Sequence, residues 1–276
     1  MFESIWLYHC GYANVPMSAV LSGDGVPRGF VKLPFMALAA YHEDHGVVLV
    51  DAPYGHDGPK NVGSLLGTLL GSLLIKFEPS WSVIPRLEQM NLRASQVDHV
   101  FMTHMHYDHT GGMKELGHAT FHVSREEWND ATTIGPLDGL MKGYAISDYR
   151  ALHAKMNTLD CDDDYQRNRE GHDIFGDGSV HAISLPGHTR GHMGYRFNMK
   201  DGRTIFHVGD AVYDLRQITA RHGMGSMGKN VSHNISQAMF TISELQRYHE
   251  ENPEVILTSA HDIALGERCL RGPIKL

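Results

Sequence analysis

The chain is short of cysteine, of basic residues and of long apolar runs. Its three cysteines, Cys10, Cys161 and Cys269, are odd in number and form no CxxC pair. That argues against a disulfide framework or a thiolate zinc finger and fits a reducing compartment. Lys plus Arg number 24 against 32 Asp plus Glu, a formal charge of −8, so no nucleic-acid partner is expected. The longest uncharged apolar stretch, about Val62 to Ile75, falls short of the ~20 residues that span a bilayer, and no stable membrane insertion is expected. The opening residues, MFESIWLYHC, lack the basic and apolar regions of a signal peptide, so the expected location is cytoplasmic. No charge run, Pro/Ser linker or repeat divides the 276 residues, which read as one domain over 1–276.

Histidine is abundant, at 20 residues, and whether those imidazoles are gathered or scattered decides their meaning. Strand-like runs rich in β-branched and aromatic residues lie at Ser4–His9, Leu33–His42, Val47–Asp51, His99–Thr103 and Ala119–Val123. Others follow at Val180–Leu185, Gly194–Met199, Thr204–Val208 and Val255–Ser259. Asp201-Gly202 predicts a tight type I′ hairpin turn. Helical patterns cover Ser82–Met90, a short segment opened by a Ser124/Glu127 capping box, and Ile235–His249. This mixture predicts two sheets with helices packed outside.

Thr103-His104-Met105-His106-Tyr107-Asp108-His109 carries three imidazoles and a carboxylate directly after a strand. His104 and His106 alternate onto one side of an extended backbone, whereas Asp108 and His109 fall where a helix would begin. Three more strands run into a His or Asp on a turn: Pro186-Gly187-His188, Val208-Gly209-Asp210 and Ser259-Ala260-His261. A layered fold brings such strand ends to one edge. Imidazole and carboxylate donors suit Zn²⁺, Fe²⁺ or Mn²⁺. An isolated His such as His153 or His222 reads instead as an ordinary surface or packed residue, and His192 as support for a ligand.

The ordered set HxHxDH, PGH, GD and a late His resembles the metallo-β-lactamase superfamily, over about residues 33 to 262. The resemblance implies an α/β fold, an αββα four-layer sandwich with a dinuclear site at one sheet edge. By position, His104, His106 and His188 would hold one metal, Asp108, His109 and His261 the other, and Asp210 would bridge them. The ions would be zinc, with Fe, Mn or Co as alternatives, and would hold a bridging water as hydroxide near neutral pH. Two departures stand out. Asp51-Ala52-Pro53 replaces the usual Asp-Thr-Gly, leaving Asp51 as a structural acid on an altered turn. The bridging position is Asp and not Cys, which disfavours β-lactam hydrolysis.

Asp108 and Tyr213 are the candidate catalytic residues. Tyr213 follows Asp210 by three positions, an Asp-x-x-Tyr arrangement similar to that of N-acyl homoserine lactone lactonases; a phenol there can stabilise an oxyanion by about 3 kcal/mol, whereas its plainer reading is loop packing. The expected substrate is a small ester or lactone, foremost an acyl lactone. The alternatives are a glyoxalase-II-like thioesterase, disfavoured because only 15 residues follow His261, an aryl or phosphodiester esterase, and a non-catalytic metal-binding relative. Val62–Phe77 repeats Gly63, Gly67 and Gly71 beside leucine pairs. It reads either as a core helix or as a segment, including Leu69 and Leu73, that lines the acyl pocket or joins a homodimer.

Overall fold

Alternation along the strands sorts side chains into two apolar faces, and that sorting builds the layers. In the computed structural model, which describes residues 1–61, 74–160 and 170–276, Val48 and Val50 join a core between two sheets. Their neighbours Val47 and Leu49 point the other way, toward a core under the outer helices. Leu38 and Ala39 divide likewise, as do Phe101 and Val100. On the second sheet Ala182 and Ile205 face inward, whereas Ile183 and Phe206 face a third core. Helix, sheet, sheet and helix therefore stack in the expected αββα order.

The first sheet runs from Ile274–Lys275 through Phe2–Pro16, Phe30–His42, Gly46–Val50, Val97–Phe101 and Thr120–Ser124 to Met156–Leu159, with Ile75–Lys76 also paired to Phe2–Pro16. Pairing is parallel from Gly46–Val50 onward and antiparallel before it. The second sheet orders Ile256–Thr258, Thr204–His207, Met193–Asn198, Val180–Ser184 and His172–Asp173. A two-stranded ribbon joins Leu21–Ser22 to Gly223–Met224.

Helix Ile235–Glu251 shows the clearest helical logic. The Asn234 side chain caps it by accepting from the Gln237 amide at 3.1 Å, and Ala238, Ile242, Leu245 and Tyr248 form its buried stripe over the second sheet. All nine expected strands are present. The first two are longer than expected, and the added residues Ala13, Asn14 and Val15 wall the cavity described below.

Two local expectations need correction. The Asp201-Gly202 hairpin forms, but only Gly202 has positive φ, at 85°. The Gly202 amide donates to Met199 O at 3.1 Å and the Met199 amide to Arg203 O at 2.9 Å, a type I turn closed by a glycine bulge and not a type I′ turn. Ser124 caps the helix Arg125–Thr133 as expected, yet the Glu127 carboxylate does not return to complete a capping box. Residues 62–73, hence Leu69 and Leu73, and Cys161 lie outside the described residues; Cys10 and Cys269 are buried and free. No helix among the described residues is long and apolar enough to cross a membrane.

Candidate metal centre

The strand Val97–Phe101 ends just before the motif, and His106 leads into the one-turn helix Tyr107–Thr110. This places His104 and His106 on the strand exit and Asp108 and His109 on the helix. His188 follows Gly187, whose φ of 133° and close approach to the Ala238 backbone admit no side chain. Asp210 follows Gly209 (φ 52°), where a Cβ would lie 2.8 Å from His192 Nε2. Gly187→Ala should accordingly lower stability by about 1–3 kcal/mol, read from the midpoint of urea denaturation.

All seven expected donors meet at this edge. His188 Nε2 lies 3.2 Å from His104 Nε2 and 3.1 Å from His106 Nδ1. His261 Nε2 lies 3.6 Å from Asp108 Oδ2, and Asp108, His109 and His261 form a second cluster. Asp210 spans the two: Oδ2 is 3.4 Å from His188 Nε2 and 3.1 Å from His261 Nε2, while Oδ1 is 3.4 Å from His109 Nε2.

Hydrogen bonds behind the rings turn their lone pairs inward. Asp51, fully buried at φ 62°, accepts from the Thr103 amide at 2.7 Å, the Thr103 hydroxyl at 2.8 Å and His109 Nδ1 at 2.7 Å. Because that hydroxyl proton goes to Asp51, Thr103 Oγ1 accepts from His104 Nδ1 at 3.0 Å, which leaves His104 Nε2 bare. His261 Nδ1 donates to Pro34 O at 2.6 Å. His192 Nε2 accepts from the Asp210 amide at 3.0 Å, the supporting place expected of it. Despite Pro53, the Asp51 turn is clamped to the ligand helix, since the Ala52 amide donates to His109 O and Ala52 O accepts from Gly112.

Electrostatics agree with a cation at the centre. Burial lowers the His104 and His188 pKa values well below the usual imidazole value and His106 to about 4, so these rings are neutral donors. Burial opposes the Asp210 charge, but His261 and His109, whose own pKa values rise beside it despite burial, outweigh that and keep the carboxylate ionised, so with no ion bound these two rings carry the positive charge. His109 Nε2 and Asp210 Oδ1 are buried and face each other at 3.4 Å, with no other hydrogen-bond partner among the described residues. Donors around a tetrahedral ion with bonds of about 2.0–2.1 Å sit about 3.3 Å apart, close to the spacings found. The residues present fit divalent metal.

A separate cluster, His42, His45 and Asp177, lies at the far end of the strand Phe30–His42. There His42 Nδ1 accepts from the amides of Asp44 at 3.1 Å and His45 at 3.3 Å. Its Nε2 lies 2.7 Å from the Met1 ammonium, which can only donate, and 3.5 Å from Asp177 Oδ2, so both ring nitrogens are already engaged by other groups of the chain.

The centre forms the floor of a cavity of about 940 Å³. Tyr213 stands between two of these imidazoles, its ring centroid 5.8 Å from that of His188 and 5.0 Å from that of His261. Burial, then Asp210 and Asp108, push its pKa well above the phenol value, so it keeps its proton. Leu33, Phe35, Leu74, Met141 and Val231 supply apolar wall. Those residues come from distant segments, and no local sequence signal marks them.

Comparison with known proteins agrees with this arrangement. Residues 40–261 match the family model described as metallo-beta-lactamase superfamily. A probable metallo-hydrolase of Mycobacterium tuberculosis is 29% identical over 229 residues, covering 79% of this chain and 72% of that protein. The N-acyl homoserine lactonase AttM of Agrobacterium fabrum is 26% identical over 180 residues, covering 65% of this chain and 63% of that one. The structure of an N-acyl homoserine lactone hydrolase, with the product N-hexanoyl-L-homoserine bound at its catalytic metal centre, superposes with a TM-score of 0.74. Its identity is 18%, over 99% of this chain and 100% of that one. With the family model spanning both ligand clusters, the layers in the αββα order and the donors at one sheet edge, the chain belongs to the metallo-beta-lactamase superfamily as a metal-dependent hydrolase.

Proposed function

We propose that this protein is a dinuclear lactonase that opens an acyl lactone such as an N-acyl homoserine lactone, with zinc as its metal. The observation that carries the reading is Tyr213, held between His188 and His261 on a cavity floor that also presents Asp108. The first ion would rest on His104, His106 and His188, the second on Asp108, His109 and His261, with Asp210 shared. Bound there, divalent ions supply Lewis acidity and a nucleophile from water at neutral pH.

The chain's own residues do the rest. Tyr213, protonated and preorganised, donates to the oxygen on which charge develops as the ester carbonyl becomes tetrahedral. Asp108, less buried than the imidazoles around it, faces the cavity, where it can carry a proton toward the departing alkoxide. The apolar wall from Leu33 to Val231 takes the acyl chain and keeps bulk water from the reacting bond.

The test is proton release from N-hexanoyl homoserine lactone by metal-replete protein, lost on chelation and restored by metal. Tyr213→Phe should keep its metal content and lose about 10- to 100-fold in kcat. An unchanged kcat would return Tyr213 to a packing role.

A further inference from the structure

The start of the helix Arg125–Thr133 touches two loops that carry ligands. Ser124 Oγ accepts from the Glu127 amide at 3.1 Å and donates to Gly191 O at 2.7 Å. Gly191 is three residues beyond His188, and a Cβ there would strike both Ser124 Oγ and the Glu127 backbone, so this loop lies hard against the helix. The Glu127 side chain is fully buried and turns away from its own helix end. Its Oε1 accepts from the Met105 amide at 2.9 Å and from the Tyr144 hydroxyl at 3.3 Å.

Each contact leads to a donor of one cluster. Met105 sits between His104 and His106. Tyr144 packs its ring edge-on to His106 at 5.1 Å and bridges to it through the backbone. The loop after His188 meets the same helix start through Gly191, which accepts from Ser124 Oγ and lies against the Glu127 backbone, and burial raises the Glu127 pKa to about 7. An apolar side chain would fill this position at lower desolvation cost, yet the carboxylate is held by the Met105 amide and the Tyr144 hydroxyl, both beside His106, while the backbone of the same residue carries the loop that follows His188. Among the described residues, the hydrogen bonds of the Glu127 carboxylate do not reach Asp108, His109 or His261.

We propose that Glu127 is a positioning residue for one half of the centre, fixing the His104, His106 and His188 cluster by tying the Met105 backbone to the helix start on which the Gly191 loop rests. The inference rests on the dinuclear reading above. It separates two supports, with Asp51 holding the rings of His104 and His109 and Glu127 setting the distance between loops.

The experiment titrates metal from folded wild type, Glu127→Ala and Glu127→Gln with graded chelator, counting zinc by elemental analysis and checking the fold by circular dichroism. Glu127→Ala should keep one ion at wild-type affinity and bind the other about 10- to 100-fold more weakly. Glu127→Gln should keep both, because its amide oxygen can accept from Met105 and Tyr144. Should Glu127→Ala fail to fold, Glu127→Asp, whose carboxylate stops one methylene short of Met105, should give the same split. Both ions held at wild-type affinity in the Ala or Asp variant, or both weakened equally, would overturn the proposal. A wild type holding fewer than two ions would instead fail the dinuclear reading, which this titration reports separately.

Discussion

Asp210→Asn should take the protein from two bound ions to at most one and cost more than 100-fold in kcat. The carboxylate faces His188 and His261 through one oxygen and His109 through the other, and its negative charge would offset the cations it is proposed to join. An amide keeps one oxygen, loses the charge and turns an N–H toward one cluster, so it can serve one ion poorly and not two. His192→Ala supplies the scale, since His192 accepts from the Asp210 amide and packs its ring beside those of His104 and His188 without being one of the seven donors; losses for such supporting groups run about 10- to 100-fold. Elemental analysis and kcat on the same samples decide the point. Two ions retained in Asp210→Asn with near-normal rate would remove Asp210 from the bridging place.

Asp51→Asn should also exceed 100-fold, although Asp51 is not one of the seven donors. The Thr103 amide needs an acceptor at Oδ1, so the new NH₂ group takes the place of Oδ2. There it faces His109 Nδ1, which must now accept, and the His109 proton moves to Nε2, toward the centre. Thr103 Oγ1 must likewise accept from that NH₂ group and is free to donate to His104 Nδ1, which draws the His104 proton to Nε2 as well. One isosteric change thus removes a lone pair from each cluster, and metal affinity should fall with the rate while the thermal transition stays cooperative. An Asp51→Asn variant that binds metal normally would show that these tautomers are set elsewhere.

The seven candidate donors were legible because each is a His or Asp placed where a β-branched run stops, a pattern a packed core does not require. The layers were legible because inward and outward residues alternate along strands such as Gly46–Val50. What escaped the sequence depends on distant partners. Ser124 and Glu127 have capping-box spacing, but burial under Tyr144 and the Met105 amide draws the carboxylate from its helix into the site. Asp51 was readable as a structural acid, yet its three bonds to Thr103 and His109 appear only once Gly46–Val50 and Val97–Phe101 pair in parallel. The strand Met156–Leu159 has little alternation of its own and forms by adding to Thr120–Ser124. At Asp201-Gly202 the local pair specified a hairpin without specifying its turn. Of the glycine-spaced stretch, Leu74 and Ile75 line the cavity, and residues 62–73 lie outside the described residues.

The most direct test of the lactonase reading compares kcat/KM across acyl lactones, thioesters, aryl esters and phosphodiesters, using one preparation with its metal counted. Acyl lactones should head the series by at least about tenfold, roughly 1.4 kcal/mol of transition-state preference, with activity lost on chelation and restored by zinc. A thioester or phosphodiester at the head of the series, or lactone opening that persists in the metal-free protein, would contradict it.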